Sequence, residues 1–251
     1  EEENLEDITW KIQEMLHRLS QFMEIGEGTI SFDKTKEEDW VNNWKKYFKP
    51  IQLDEQIVIK PTWETLENPK KDTIVIEIDP GTAFGTGSHE TTKLCIEGMK
   101  PYIKPGSRML DVGCGSGILS IIGLKLGASH AVLTDIDPNA IAAAKENFEV
   151  NHISEDQYEV YQGNILEDQE FARMIGKERY PLVVANILAD VLLPLIEIAD
   201  QFMTEDGVFV LSGIIDIKEQ EIAEKLKNYG FDILETRRMK DWVSITAGKR
   251  K

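Results

Sequence analysis

Apolar residues change their period along this chain, and the change divides it. Leu5, Ile8, Ile12, Met15, Leu16, Leu19, Phe22 and Met23 recur at helical spacing, which places them on one stripe of an amphipathic helix beginning near Asn4. A short strand is predicted over 29–33 and a second helix over 37–48, with Trp40, Trp44 and Phe48 on one face and Lys49-Pro50 as its stop. A lone strand has no partner, so residues 1–50 read as an incomplete α+β domain whose earlier strands are absent from this chain. Residues 51–65 read as a linker into a main domain spanning 66–251.

From residue 73 the pattern becomes strand, loop, helix, repeated. Strands are predicted at 73–78, 108–112, 131–134, 158–161, 182–185, 208–211, 232–235 and 242–247, and helices near 90–100, 117–127, 138–150, 188–203 and 217–229. Strands that are apolar throughout are buried on both faces, which calls for a mostly parallel sheet with helices on either side. The connection at 237–241 is too short for a crossover, so the last two strands pair antiparallel. The fold class is α/β, a Rossmann-like sheet with an antiparallel last strand.

Composition narrows the function classes. The 251 residues are 41% hydrophobic and 29% charged without a biased tract, enough for one sizeable core. No apolar run approaches the roughly 20 residues that span a bilayer, and Glu1-Glu2-Glu3-Asn4 is the opposite of a basic signal-peptide start, so a cytoplasmic chain without a membrane partner is expected. Cys95 and Cys114 are too few for a disulfide framework or a structural zinc site, and no metal is implied. Forty-five acidic against 28 basic residues give a net charge of −17, which repels phosphate backbones and argues against direct nucleic-acid binding. The acidity serves either solubility alone or the capture of a basic protein.

Candidate chemistry begins where Leu110-Asp111-Val112-Gly113-Cys114-Gly115-Ser116-Gly117 runs from a buried strand into a helix. Its glycines permit a tight turn and let a ligand lie against bare backbone. Asp135, about 20 residues downstream at the end of the next strand, can accept both hydroxyls of a ribose. Asp137-Pro138 then caps and opens the following helix. The spacing is G-x-G-x-G rather than the dinucleotide G-x-G-x-x-G. Asp111 ahead of it would repel a pyrophosphate but suits a ligand whose methionine end carries an ammonium and a sulfonium. That favours S-adenosylmethionine as cofactor over a nicotinamide.

Two further segments point to the same cleft. Residues 79–92, from Asp79-Pro80-Gly81 to Thr91-Thr92, are dense in glycine and hydroxyls and precede a helix, as a binding loop does. Within it Phe84 packs on a ligand or on the sheet, and His89 is either a loop histidine satisfied by backbone or a group that moves a proton. Ala185-Asn186-Ile187-Leu188 ends a sheet strand, so Asn186 points into the cleft beyond the carboxyl ends of the strands, where its amide fixes cofactor or substrate unless it merely caps the turn.

These segments, D-P-G-x-A-F-G-T-G-x-H-x-T-T, D-V-G-C-G-S-G-I-L, D-I-D-P and A-N-I-L in this order, then Leu211-Ser212-Gly213-Ile214, resemble the PrmA family, bacterial methyltransferases of large-subunit ribosomal protein L11. The resemblance covers about residues 37–251. It implies a class I methyltransferase domain that uses S-adenosylmethionine to methylate lysine ε-amines, with the N-terminal α-amine as a further target, of that basic ribosomal protein. It also implies a small N-terminal domain that recognises the substrate. Carried over, the family's cofactor contacts fall on Thr92, Gly113, Asp135 and Asn186; the reading of the residues adds Asp111, Gly115 and Phe84. Asn186 and His89 are the candidate catalytic residues, in an enzyme expected to be monomeric. The family normally begins with a complete ferredoxin-like domain, and the pattern of residues 1–50 predicts only its later part. Rival readings on the same fold are a methyltransferase for another protein or a small molecule, and a non-catalytic S-adenosylmethionine-binding module.

Overall fold

The computed structural model describes residues 9–10, 12–16, 48–66, 69–79, 87, 89–177 and 179–251. The chain divides into two units, Glu1–Tyr47 and Phe48–Lys251. In the first, the described residues 9–10 and 12–16 are helical, inside the stripe expected there. The strand at 29–33 and nearly all of the helix at 37–48 lie outside the described residues.

The second unit opens with a three-stranded sheet: β1 (Ile51–Gln52), β2 (Ile57–Lys60) and β3 (Ile74–Glu77), with β2 antiparallel to β1 and parallel to β3. Residues 51–65, expected to be a linker, therefore carry two strands. Ile57-Val58-Ile59 is a fully buried strand whose partner, β3, lies beyond a long loop, and local reading could not supply that pairing. The strand at 73–78 likewise belongs to this small sheet and not to the main one. Asn151, at the end of the helix Pro138–Val150, pins β3 from the side. Its Oδ1 accepts from Glu77 N (2.9 Å) and its Nδ2 donates to Glu77 O (2.6 Å).

The main sheet has seven strands in the order β6-β5-β4-β7-β8-β10-β9. They are β4 (Arg108–Val112), β5 (His130–Asp135), β6 (Tyr158–Gln162), β7 (Tyr180–Asn186), β8 (Met203–Ile215), β9 (Phe231–Met239) and β10 (Trp242–Lys249). The first five in space are parallel. β10 inserts antiparallel between β8 and β9, as the short connection demanded. Successive residues alternate between two buried clusters: Met109, Leu182, Val184, Val208 and Val210 face one layer of helices, and Leu110, Val183, Ala185, Phe209 and Leu211 face the other. Continuous apolar strands are thus period-two strands with both faces covered.

Helices α1 (Glu90–Met99), α2 (Ile118–Lys125), α3 (Pro138–Val150), α4 (Gln169–Gly176), α5 (Ala189–Ile198) and α6 (Glu219–Asn228) make these layers. Asp137 caps α3 by accepting from Asn139 N at 2.9 Å, with Pro138 in the first turn, as expected. α4 was not anticipated from the sequence. It is short, eight residues with Asp168 as N-cap and Ala172 and Ile175 buried, and its amphipathic pattern of Phe171, Ala172, Met174 and Ile175 was the signal the sequence reading passed over. Among the described residues no helix is long and apolar enough to cross a membrane, and no group of His, Cys, Asp and Glu is gathered to hold a metal ion.

Candidate active site

A cleft of about 460 Å³ lies beyond the carboxyl ends of β4, β5, β6 and β7. This is where parallel strands leave a crevice, because their connections leave to opposite sides of the sheet. The turn after β4 forms its floor. Gly113 has φ +72, and a Cβ there would press into the Ile187 side chain, so only glycine lets the chain pass beneath Ile187. Asp135 is the one acidic side chain on the wall among the described residues. Its Oδ2 accepts from Gly115 N (2.9 Å) and its Oδ1 from Asp137 N (3.0 Å), so the carboxylate ties the glycine turn to the start of α3. Each oxygen keeps a second lone pair for a ligand hydroxyl.

Thr92 and Asn186 meet across the cleft. Asn186 Nδ2 donates to Thr92 Oγ1 at 3.3 Å, which fixes which way the amide faces. Asn186 Oδ1 is buried and accepts no hydrogen bond from the described residues. An orphaned buried acceptor costs roughly 1–3 kcal/mol, so the site is built for a donor that arrives with a ligand. His89 lines the cleft as the N-cap of α1. Its Nδ1 accepts from Thr91 N (3.3 Å) and lies 2.9 Å from Thr91 Oγ1, and its ring meets Trp242 edge-on at 5.1 Å. This matches the reading of His89 as a loop histidine satisfied by backbone.

Asp111 requires a correction. It was expected to face the positive end of the ligand, but it is fully buried beneath the turn and is not on the cleft wall. Ser120 Oγ donates to its Oδ2 at 2.8 Å, while Oδ1 has no partner among the described residues. Burial, reinforced by the nearby Asp135 charge, outweighs the Ser120 bonds and pushes its carboxyl up to about 7. Strand alternation explains the placement. Asp111 packs on the α2 side of β4, whereas its neighbours Leu110 and Val112 face the other cluster. Phe84 lies outside the described residues. The ends of its loop are anchored, by Thr62 donating to both Asp79 oxygens (2.7 and 2.8 Å) and by the His89 cap.

Several lining residues were not among the site candidates, although Ile136, Leu188 and Gly213 stand inside the quoted motifs. Ile136, Gly163, Asn164, Ile165 and Leu166 form one end, opposite Leu188, Val191, Gly213 and Trp242 at the other. Asn164 Oδ1 accepts from Leu166 N (3.0 Å), which folds the loop after β6 against the cleft. The Gly163-Asn164 pair at the end of a strand was the available signal. Trp242 gave none, since it reaches the cleft only because β10 inserts beside β8.

The residues fit S-adenosylmethionine: a backbone floor bare of Cβ atoms, a carboxylate with spare acceptors, apolar walls for a flat ring, and an unpaired amide oxygen. The model for Ribosomal protein L11 methyltransferase (PrmA) matches residues 2–250. A Ribosomal protein L11 methyltransferase of Lachnoclostridium phytofermentans is 50% identical over 99% of this chain and 78% of its own length. One from Agathobacter rectalis is 45% identical over 97% and 76%. A crystal structure of a ribosomal protein L11 methylase from Lactobacillus delbrueckii subsp. bulgaricus superposes with a TM-score of 0.73 at 34% identity, covering 81% of this chain and all of that one. A putative methyltransferase complexed with SAH shares the fold at a TM-score of 0.56 and 11% identity, covering 64% of this chain and 50% of that one.

Proposed function

Because the chain belongs to the PrmA family of ribosomal protein L11 methyltransferases, we propose that it methylates ribosomal protein L11 on lysine ε-amines and its N-terminal α-amine, using S-adenosylmethionine. It would act as a cytoplasmic monomer with no direct nucleic-acid partner. Residues 1–50 would contribute to substrate recognition. The observation that carries this reading is the orphaned Asn186 Oδ1, a fixed acceptor where an amine can arrive.

When bound, S-adenosylmethionine supplies a methyl carbon made electrophilic by a sulfonium. The chain's own residues do the rest. Gly113 and Gly115 would give the backbone cradle, Asp135 would accept the ribose hydroxyls, Thr92 holds the Asn186 amide, and Phe84 would contact the cofactor. Asp111 lies beneath the turn, where a cation arriving above it would draw its carboxyl toward the charged form. A free lysine has a pKa near 10.4 and is almost wholly protonated at pH 7, yet only the neutral amine can attack. Ile187, Leu188, Val191 and Trp242 surround the amine's end of the cleft with apolar surface, which disfavours the ammonium and lowers its pKa. Asn186 Oδ1 then accepts one N–H and leaves the nitrogen lone pair for the reaction. Alignment of this kind is worth roughly 7–11 kcal/mol, so a dedicated base is not required. His89, with Nδ1 engaged in the cap, assists at most by passing on the released proton.

Mass spectrometry of ribosomal protein L11 incubated with the enzyme and S-adenosylmethionine tests the reading. Methyl additions on amines are expected, and Asn186→Ala should lower kcat/KM by about 100-fold, the cost of losing one oriented polar group. Cofactor binding by calorimetry without any mass gain on the ribosomal protein would overturn it.

A further inference from the structure

The mouth of the cleft carries exposed aliphatic side chains where polar ones would stabilise the fold. Leu188 is 70% exposed and occupies the N-cap of α5, which has no side-chain cap. Ser, Thr, Asp or Asn there would satisfy a free N–H of the first turn. Val191 follows one turn on, and Ile217 is 81% exposed. Ile215 pairs in register with Trp242 of the cleft wall. Lys218 Nζ lies 3.4 Å from Asp190 Oδ1, so the turn bearing Ile217 sits against the first turn of α5. The patch is therefore continuous with the cleft's amine end. It is bordered by the exposed carboxylates Asp216 and Asp241, while Lys218 is paired with Asp190 and Glu221, and Lys240 with Glu90.

Resting on the methyltransferase reading above, we propose that this rim docks the substrate's polypeptide beside the modified amine, and that it selects a lysine flanked by aliphatic side chains in a basic protein. The apolar patch takes the flanking side chains, and the surrounding carboxylates hold neighbouring cations. Leu188 gives up an N-cap to serve that surface.

The test uses the full chain and ribosomal protein L11, reading three quantities: the dissociation constant for the ribosomal protein without cofactor, KM and kcat, and the cofactor dissociation constant. Ile217→Ser should weaken ribosomal-protein binding and raise KM about 10-fold, with kcat and cofactor binding unchanged. Leu188→Ser should raise Tm by a few degrees through the new cap while also weakening ribosomal-protein binding. Leu234→Ser, at an exposed leucine of β9, should change none of these. Unchanged binding of the ribosomal protein in both rim variants would overturn the proposal. So would sedimentation showing a wild-type dimer that Ile217→Ser dissociates with substrate binding intact, because the rim would then be a self-interface. A wild-type chain that neither binds nor methylates the ribosomal protein would remove the methyltransferase reading itself, and this proposal with it.

Discussion

The glycine-turn part of the cleft and its α5 end are made of different material. At the turn between β4 and α2 the ligand meets backbone and one carboxylate: Gly113, Gly115 and Asp135, held by hydrogen bonds at 2.9 and 3.0 Å. At the end formed by α5, β8 and β10 it meets side chains: Leu188, Val191 and Trp242. Backbone geometry cannot change gradually, whereas an aliphatic surface can be reshaped one residue at a time. The first part therefore suits a cofactor that is the same in every turnover, and the second suits a substrate that must be told from its competitors.

Substitutions at the two glycines that flank Ile187 probe that contrast most strongly. A Cβ on Gly213, whose φ is +82, would strike the Ile187 backbone, while a Cβ on Gly113 would strike only its side chain. Gly213→Ala should cost about 4 kcal/mol in urea unfolding, with no relief from Ile187→Ala. Gly113→Ala should cost about 2–3 kcal/mol and recover part of that in the double variant, while cofactor binding stays lost. Equal rescue of both would show that the two turns do not differ in kind.

Asp111 gives the next effect. Its folded value of about 7 lies above the ordinary aspartate value of 3.8, so between about pH 4 and pH 7 the native state holds a proton that the unfolded chain has released. The stability this confers is complete below about pH 4 and is lost as pH rises through about 7. Asp111→Asn removes the titration, so its stability relative to wild type should climb across that window by roughly 3 kcal/mol, read from urea unfolding at pH 4 and pH 8. A pH-independent difference would mean the carboxylate is already ionised in the fold.

Asp135→Ala should weaken cofactor binding by about 1.5–3 kcal/mol in calorimetry, through lost charged hydrogen bonds. An unchanged dissociation constant would reject the ribose assignment. Smallest is the salt effect. If the net charge of −17 steers a basic substrate, KM for the ribosomal protein should rise several-fold from low to high salt while cofactor binding barely moves.

The sequence told most where a residue's role is local. The glycine turn, Asp135 and the Asp137-Pro138 cap are set within one strand–loop–helix passage, and each stands where the spacing placed it. Strand–helix alternation likewise specified the main sheet, including the antiparallel closure. Long-range pairing was not legible. β2 needed β3 to become a strand, and Trp242 needed β10 to insert beside β8. Asp111 illustrates the same limit within one motif: its place two residues before the glycines was plain, but which face of β4 it occupies depends on strand alternation in the assembled sheet.

Ile187 fills the room that two missing methyl groups leave, one above it and one below. Positions 113, 187 and 213 should consequently vary together or not at all among related chains. The amide at 186 also inherits its coordinates from the same clamp as the glycine bend.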